Sequence, residues 1–260
     1  MGKGILSIFI FLQSVFVYSQ TTTTPDTEKK FYTGFGTSVS SYLGEDFGSR
    51  YSIRSFFNNY DSYYNQSYNS NPAFGVFPLN LQFNFGYRFN DKIATELETS
   101  FIWHARGYMT NPDFQTGTLS GGRYYSDRYD YSSMMAVPLF INMKYSPFGE
   151  YYNSLIFKTG FGFQYVSESI DRVRKIYEES YYYTYFTEYL LGTTTASKFM
   201  PGIKIGAGYL GEIGDGFLNE TDITYTLFFN NNKISGNPLA INTSGKIGMI
   251  SLNTRIYLVF

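Results

Sequence analysis

One histidine is the side chain best suited to acid–base chemistry in this sequence. His104 lies in the segment "FIWHARGY" and is the single histidine among 260 residues. An imidazole can take a proton from a serine hydroxyl in acyl transfer when a carboxylate orients the ring. The polar stretch that follows holds Ser126, Asp127 and Asp130. Because any polar loop carries such residues at similar spacing, we interpret His104 as a structural side chain hydrogen-bonded to Glu98 or to a tyrosine.

Two glutamates are the second candidates for acid–base chemistry. Glu96 and Glu98 are two residues apart, so they project from one face of an extended strand. Other strand-like segments of the chain carry Arg and Lys residues. We therefore expect Glu96 and Glu98 to form salt bridges with these residues and not to act as a catalytic carboxylate pair. The sequence contains no phosphate-binding loop, nucleophile elbow or metal-ligand spacing. It therefore predicts no catalytic residue, no cofactor and no metal.

The elements that position these side chains are strands. The segment "FPLNLQFNFGYRF", residues 77–89, alternates between apolar and polar side chains from Leu79 onward. This period of two predicts a strand with one apolar and one polar face. Eight segments show strand-like alternation, and they span residues 31–42, 76–90, 92–106, 131–146, 154–167, 198–210, 217–230 and 246–260.

The connections between these segments alternate in length. Short turns lie at 90–92, 146–149 and 211–216, whereas longer polar stretches lie at 43–75, 107–130, 168–197 and 231–245. Outer-membrane barrels combine short periplasmic turns with long outer loops. The pattern predicts an all-β fold: an eight-stranded antiparallel up-and-down transmembrane β-barrel with four long outer loops and three short periplasmic turns. Residues 168–197 could form a helical turn or two, or could extend the flanking strands as a hairpin.

Charged side chains fall on the polar faces of the predicted strands. We expect these faces to line the lumen, because an Arg or Lys that faces lipid at the bilayer midplane costs roughly 2–4 kcal/mol. Opposite charges can pair across a narrow lumen. The alternative is a soluble barrel with solvated charges outside and an apolar core. The predicted lumen charges are Arg88, Glu96, Glu98, Lys144, Lys158, Lys204, Glu220, Asp222 and Arg255.

Aromatic residues favour lipid as the environment of the apolar faces. They gather at two heights, as in the interfacial belts of membrane barrels, with mostly aliphatic residues between them. Near the long loops they are Tyr42, Phe77, Trp103, Tyr131, Tyr165, Phe199 and Phe229. Near the short turns they are Phe31, Tyr87, Phe89, Tyr145, Tyr209, Phe217 and Phe260.

The first residues have the layout of a secretory signal peptide. In "MGKGILSIFIFLQSVFVYSQ", Lys3 precedes an apolar run, and Ser19 offers a cleavage site. We therefore predict a signal peptide at 1–19, a short periplasmic linker at 20–30 and an outer-membrane barrel at 31–260. The sequence has no cysteine, which excludes disulfides and a lipid-modified cysteine.

The closing segment "SLNTRIYLVF" places Ile256, Leu258 and Phe260 on one face. With the eight-segment pattern, it resembles the small eight-stranded outer-membrane barrels of the OmpA-transmembrane and OmpX type. Gln20 after the predicted cut and the Tyr/Asn-rich loops are similar to those of Bacteroidota outer-membrane β-barrel proteins. The resemblance implies a bacterial outer-membrane location, periplasmic termini and outer-membrane lipid as a partner. It also implies that the barrel-assembly machinery reads the three closing residues.

The expected function is that of a non-enzymatic outer-membrane barrel with a charge-plugged lumen. It would act as a structural element, or its loops would bind another envelope protein or a surface glycan. A net charge of −1 gives no support to nucleic-acid binding. The candidate loop surface consists of Tyr60, Tyr63, Tyr64, Tyr124, Tyr125, Tyr129, Tyr181, Tyr182, Tyr183 and Tyr185.

The alternative function is a lipid A-modifying outer-membrane enzyme that uses His104. Outer-membrane deacylases of this kind carry a histidine and a serine two residues apart on one strand. In this chain the residue two positions after His104 is Arg106, so the resemblance fails. An acyltransferase would draw on Ser126, Asp127 or Asp130, whose spacing from His104 is not specific.

Overall fold

The described residues form nine strands and two short helices. A computed structural model describes residues 30–52, 79–108, 115–148, 153–179, 184–214, 216–231, 234 and 237–260. The elements are β1 (Phe31–Leu43), α1 (Glu45–Tyr51), β2 (Leu79–Arg88), β3 (Ile93–Tyr108), β4 (Gln115–Thr118), β5 (Tyr124–Tyr145), β6 (Ser154–Glu179), β7 (Thr184–Gly214), β8 (Phe217–Phe228), α2 (Ala240–Thr243) and β9 (Ile247–Val259). No helix in the described residues is long and apolar enough to cross a membrane.

Eight of the strands close into a ring. They pair antiparallel in the order β3-β2-β1-β9-β8-β7-β6-β5, and a β3–β5 pairing closes the circle. The short strand β4 pairs only with β5, above the point where β3 leaves it. The predicted eight-stranded antiparallel barrel is therefore confirmed.

The stretches that join the strands at the long-loop end contain more regular structure than the sequence pattern predicts. β6 and β7 run for 26 and 31 residues, so the stretch at 168–197 is largely an extension of the two strands as a hairpin. Helix α1 begins the stretch at 43–75, and β4 and the start of β5 occupy much of 107–130. On β6 the alternation of buried positions continues past the predicted end as far as Ile170, and residues 186–195 of β7 are all exposed.

Inward and outward side chains follow the period of two. On β2, Gln82 and Asn84 are buried in the barrel, whereas Leu81, Phe83 and Phe85 are 41%, 53% and 49% exposed on its outside. The barrel therefore has its polar strand faces inside and its apolar faces outside, which is the reverse of a soluble barrel.

The barrel interior is filled in three layers. Near the short turns lies the lower cluster, an apolar group of Tyr32, Ala94, Ile156, Leu210, Leu218, Tyr257 and Val259. The charged residues form the next layer. Above them lies the upper cluster, formed by Tyr42, Phe47, Tyr51, Ile102, Met134, Ala136, Phe140, Val166, Met200, Phe228, Ala240, Ile241, Ile247 and Met249. Small inward residues make room for the long side chains: a Cβ on Gly36 would lie 2.7 Å from Cγ of Arg255.

Candidate functional site

The nine charged residues predicted for the lumen are all buried inside the barrel. Eight of them form one connected group, defined here as the charge layer: Glu96, Glu98, Lys144, Lys158, Lys204, Glu220, Asp222 and Arg255. The ninth, Arg88, is buried at the short-turn end of β2. Because side chains alternate along a strand, these residues point into the lumen. Because the barrel is closed and narrow, side chains from strands that are not neighbours come within contact distance of each other.

Lys158 on β6 is the most highly connected cation of the charge layer. Its Nζ lies 2.9 Å from Oδ2 of Asp222 and 3.0 Å from Oε1 of Glu220. It also lies 3.5 Å from one carboxylate oxygen of Glu96 and 3.5 Å from one of Glu98. Four acidic side chains from two strands therefore surround one ammonium group.

Arg255 on β9 joins the same acids from the other side of the lumen. Its NH1 group lies 2.5 Å from Oδ2 of Asp222 and 2.7 Å from Oε1 of Glu220. Its NH2 group lies 3.4 Å from Oε2 of Glu98. The guanidinium fork thus links β9 to β3 and β8, as suits a planar group with several fixed donors.

Two more lysines complete the charge layer. Nζ of Lys144 lies 2.5 Å from Glu96 and 2.5 Å from Glu220. Nζ of Lys204 lies 2.6 Å from Glu98. The four cations face four acids, so the layer is electrically balanced. Such balance is required for buried side chains, because an unpaired buried charge is strongly destabilising.

Polar amides extend the charge layer towards the outer mouth. Gln82 donates from Nε2 to Oδ1 of Asn253 over 2.7 Å, and Asn253 in turn donates to Asp222. Asn80 donates to the hydroxyls of Ser38 and Ser40 over 3.0 and 2.6 Å. This stack of side chains fills the lumen between β1, β2, β8 and β9.

A buried carboxylate that the sequence analysis missed holds the outer mouth closed. Glu168 accepts hydrogen bonds from Arg50 NH1 at 3.1 Å, Tyr51 OH at 2.8 Å and the backbone N–H of Ile241 at 2.8 Å. It therefore ties both helices to β6. The signal was available, because Glu168 continues the even-numbered inward positions of Lys158 and Gln164.

Tyr42 corrects one assignment of the aromatic pattern. The sequence placed this residue in the outer belt, but its ring is completely buried in the upper cluster. Its hydroxyl accepts a hydrogen bond from Nε2 of Gln164 over 2.9 Å. The reason is register, since Tyr42 shares the inward parity of Ser38 and Ser40 on β1.

His104 lies beside the upper cluster in an aromatic environment. Its ring centroid is 6.2 Å from that of Tyr42 and 5.6 Å from that of Tyr51. Nε2 is buried and has no hydrogen-bond partner among the described residues, so the predicted hydrogen bond to Glu98 or a tyrosine is wrong for this atom. Glu98 lies deeper, within the charge layer.

The two described candidates for an acyl-transfer group, Ser126 and Asp127, do not lie beside His104. His104 pairs with Met134 across β3 and β5. Asp127 lies seven residues farther along β5, which corresponds to about 23 Å of extended chain. Its carboxylate instead binds Arg174, with Oδ1 at 2.6 Å from Nε, and Arg172 at 3.3 Å. The side chain of Asp130 lies outside the described residues.

Beyond the ring, three strands continue as a sheet that we call the outer arm. It comprises β4 and residues 124–129 of β5, 171–178 of β6 and 186–197 of β7. Tyr124 and Tyr177 stack with ring centroids 4.7 Å apart, and the guanidinium of Arg174 lies 4.3 Å from the ring centre of Tyr125. The hydrogen bond from Arg174 lowers the pKa of Asp127 below its ordinary value.

The candidate loop tyrosines are only partly described. Tyr124 and Tyr125 lie in the outer arm, and Tyr129 packs against Ile170 and Leu239. Tyr60, Tyr63, Tyr64, Tyr181, Tyr182 and Tyr183 lie outside the described residues, as does the side chain of Tyr185. The predicted signal peptide and most of the predicted linker also lie outside them.

The closing strand presents its apolar face to the outside of the barrel. Ile256, Leu258 and Phe260 are 44%, 45% and 55% exposed. The backbone of Phe260 exchanges two hydrogen bonds with Phe31, at 2.9 and 3.1 Å. The end of the chain is therefore sealed against β1.

No family model and no curated protein matches the sequence. Among solved structures, the chain is similar to Ail, the attachment invasion locus protein of Yersinia pestis, in complex with the heparin analogue sucrose octasulfate. The identity is 9% and the TM-score is 0.42, and the match covers 89% of this chain and 99% of that chain. It is also similar to Neisserial surface protein A, at 11% identity, a TM-score of 0.38, and 88% and 97% coverage. The outer membrane protein AlkL matches at 14% identity and a TM-score of 0.39, with 93% and 94% coverage. At these values the matches carry over no ligand or activity.

Proposed function

We propose that the chain is an integral barrel of a bacterial outer membrane. The supporting observation is the inverted distribution of side chains, with Leu81, Phe83 and Phe85 outside and a charge layer inside. Exposed aromatic residues lie at both ends of the strands, as suits two membrane interfaces, with Trp103 and Phe199 near one end and Phe31, Phe217 and Phe260 near the other. They are not confined to these two heights as the sequence predicted, because Phe35, Phe83 and Phe161 are exposed between them. Residues 1–19 would direct export, and both termini would lie in the periplasm.

Membrane fractionation tests this location. The tagged chain should sediment with outer-membrane markers and should resist extraction by carbonate. Recovery in the soluble periplasmic fraction would contradict the proposal. The same preparation tests insertion: if Ile256, Leu258 and Phe260 are read by the barrel-assembly machinery, replacing all three with Ser should reduce the amount of folded barrel.

The filled lumen supports a role other than general diffusion. An eight-stranded barrel is just wide enough for side chains to fill its interior. Here a charge layer and two apolar clusters occupy that interior. The protein therefore acts through its surface rather than through a pore.

The function that the structure supports best is docking at the cell surface through the outer arm. The observation that carries this proposal is the length of β6 and β7, which is 26 and 31 residues, where a membrane strand needs about 9–11. Much of each strand therefore stands beyond the membrane. The arm exposes Tyr, Phe and Leu side chains, which give large contact areas at low entropic cost. The partner would be another envelope protein or a surface glycan.

Native purification tests the docking role. The tagged protein is extracted from outer membranes in mild detergent, sized and identified by mass spectrometry together with its companions. The control lacks residues 172–192, so that the paired positions Asp171 and Thr193 are joined by a tight turn. A stoichiometric partner that is lost in this variant supports docking. A lone monomer from the intact protein would contradict it and would bring forward the comparison of lipid A mass spectra with and without His104→Ala.

A further inference from the structure

The upper part of β7 has a neighbouring strand on one side only. β6 pairs with β7 from Thr184 to Leu210, but β8 pairs with it only from Gly202 downwards. Between residues 186 and 197, β6 is therefore the sole strand neighbour in the described part of the chain. Eleven of these twelve residues are exposed, and Ala196 is half-buried. We call this stretch the free edge of β7.

The direction of the backbone groups follows from one hydrogen bond. The carbonyl oxygen of Pro201 accepts from the backbone N–H of Phe229 over 2.8 Å, so it points to the β8 side. Backbone groups alternate sides along an antiparallel strand. The groups of Phe199, Ser197, Thr195 and Thr193 therefore point the same way, into the space above β8.

A β-bulge at Leu191 changes which residues of β7 point their backbone groups to the free edge. Arg172 pairs with Gly192 and Val173 pairs with Leu190, so Leu191 is an extra residue on β7. An extra residue shifts the alternation by one position. The N–H and C=O groups of Leu190, Glu188 and Phe186 consequently point to the free edge as well.

The side chains along the free edge are those of a pairing surface. Phe186, Tyr189, Leu190 and Leu191 are 55%, 50%, 64% and 42% exposed. Glu188 is the only charged residue between positions 186 and 197. The large apolar side chains lie at 186–191, whereas residues 192–197, "GTTTAS", are small or polar. An exposed strand edge whose backbone groups have no strand partner in the described part of the chain is a template for another strand.

We propose that the free edge of β7 binds an extended segment of another protein by β-strand addition. This inference rests on the proposed docking function and names its mode. Backbone hydrogen bonds provide affinity, and side-chain pairs provide specificity. Charge complementarity sets the partner's chemistry. Oε1 of Glu188 already binds Lys175 of β6, and the other oxygen of this partly exposed carboxylate can accept a basic residue from the free-edge side. Aliphatic or aromatic residues suit the positions opposite Leu190 and Phe186.

The direction of β7 disfavours a second copy as the occupant. Two copies in one membrane share the same orientation, so their β7 strands run in the same direction. Their free edges would then meet in parallel, which is the less stable pairing. An extended segment of a different protein has no such constraint and can run antiparallel to β7.

The chain itself supplies a probe of the required chemistry. Residues 170–179, "IDRVRKIYEE", pair with the opposite edge of β7, where Val173, Lys175 and Tyr177 face Leu190, Glu188 and Phe186. A strand in the same antiparallel register on the free edge makes the same side-chain pairs, because each side chain keeps its face of the sheet. The Nζ of Lys175 already lies 2.6 Å from Glu188 on the paired side.

Binding of this synthetic peptide to the full-length protein in nanodiscs tests the proposal. Fluorescence anisotropy should show saturable binding, and a peptide with Lys175→Glu should bind roughly fivefold more weakly. The Glu188→Lys protein should reverse this preference. Absence of binding, or an equal affinity for both peptides, would overturn the proposal.

A proline variant separates backbone pairing from general apolar contact. Leu190→Pro removes an N–H that points to the free edge and leaves the β6 ladder intact. It should abolish peptide binding, whereas Leu190→Ala, which keeps the N–H, should weaken it only modestly. The thermal unfolding of both variants is measured to show that the barrel is intact.

Two further outcomes would overturn the proposal while docking itself stands, the first by excluding the free edge and the second by replacing the occupant. If Leu190→Pro still yields the native complex of the intact protein, docking stands and the free edge is not its site. If the purified protein dimerises and the peptide dissociates the dimer, a second copy is the occupant. The docking function itself is tested separately by native purification, and it fails if the intact protein yields no complex that depends on the outer arm.

Discussion

The charge layer and the upper cluster lie in the same barrel interior, but different interactions hold their side chains together. On β8, Glu220 and Asp222 point into the charge layer, and Phe228 points into the upper cluster from the same face of the strand. The charge layer is made by strand residues alone and holds together through balanced ion pairs. The upper cluster needs α1 and α2, which supply Phe47, Tyr51, Ala240 and Ile241 to an apolar core. The period of two thus selects the inward face, whereas height along the strand decides the chemistry.

The difference implies that the charge layer and the upper cluster are independent barriers, in series with the lower cluster. Ion pairs across a narrow lumen exclude ions by filling the space and by leaving no free charge. An apolar cluster excludes ions because it offers them no hydration. Loss of one layer should therefore leave the other layer closed.

The largest effect is expected from an unbalanced charge layer. Arg255→Met removes the guanidinium that contacts Glu98, Glu220 and Asp222, and it should lower the free energy of unfolding by about 3–5 kcal/mol. Urea unfolding in lipid vesicles, followed by the fluorescence of the single Trp103, measures this change. The exposed control Lys246→Met should change it by less than about 0.5 kcal/mol. Equal losses would mean that the charge layer is not a buried network.

The upper cluster should respond to lost volume rather than to lost charge. Phe228 is fully buried, and its ring meets that of Phe140 at a centroid distance of 6.0 Å. Phe228→Ala should cost about 3–4 kcal/mol, because the cavity collapses only in part. The conservative control Phe228→Leu should cost less than about 1.5 kcal/mol. A cost below that of the control would show that the cluster is loosely packed.

A smaller, local effect is expected where Glu168 joins the helices to β6. Glu168→Gln keeps the shape but removes the charge that binds Arg50, and it should weaken the closure by about 1–3 kcal/mol. Hydrogen exchange of the amides in α1 should become faster, while exchange in β8 stays unchanged. Unchanged exchange in α1 would exclude Glu168 as the group that holds the mouth closed.

The smallest effect is expected in the outer arm and depends on pH. The pKa of Asp127 is lowered in the folded chain by its hydrogen bond with Arg174, so the ionised carboxylate stabilises the fold. This contribution is complete above the ordinary carboxyl pKa of about 4 and is lost as the pH falls below it. The protection factors of the amides of residues 124–128, which correct exchange for its intrinsic pH dependence, should therefore be constant from pH 7 to 5 and lower below pH 4. The variant Asp127→Asn should lack this dependence.

Much of the barrel could be predicted because lipid-like sorting of side chains is a local pattern. Along β2, from Leu81 to Arg88, the large apolar side chains point outward and the polar side chains point inward, so the residue type predicts the direction of the side chain. The charge layer was predictable for the same reason, as Lys144, Glu220 and Arg255 stand at polar positions of strongly alternating segments. No partner had to be known for these residues to be assigned inward.

The inward position of Glu168 was predictable from its parity, but the contacts that close the outer mouth were not, because they join residues far apart in the chain. Glu168 is 118 residues from Arg50, and its stretch reads as a polar loop. In the outer arm both faces of the sheet are polar or aromatic, so Lys175 and Glu188 carry no sign of which face is which. Tyr42 shows the converse error, since an aromatic residue near a strand end suits either an interfacial belt or a core.

Conductance in planar lipid bilayers tests the central claim, that two separate layers close the lumen. Four proteins are compared: the intact chain, a variant with Lys158→Ala and Asp222→Ala in the charge layer, a variant with Phe47→Ala and Tyr51→Ala in the upper cluster, and a combination of these four substitutions with Tyr32→Ala and Tyr257→Ala, which open the lower cluster. The intact chain and both double variants should show no steady conductance, and the combination should conduct. Steady conductance of the intact protein would contradict a filled lumen, and conductance of either double variant would contradict two independent barriers.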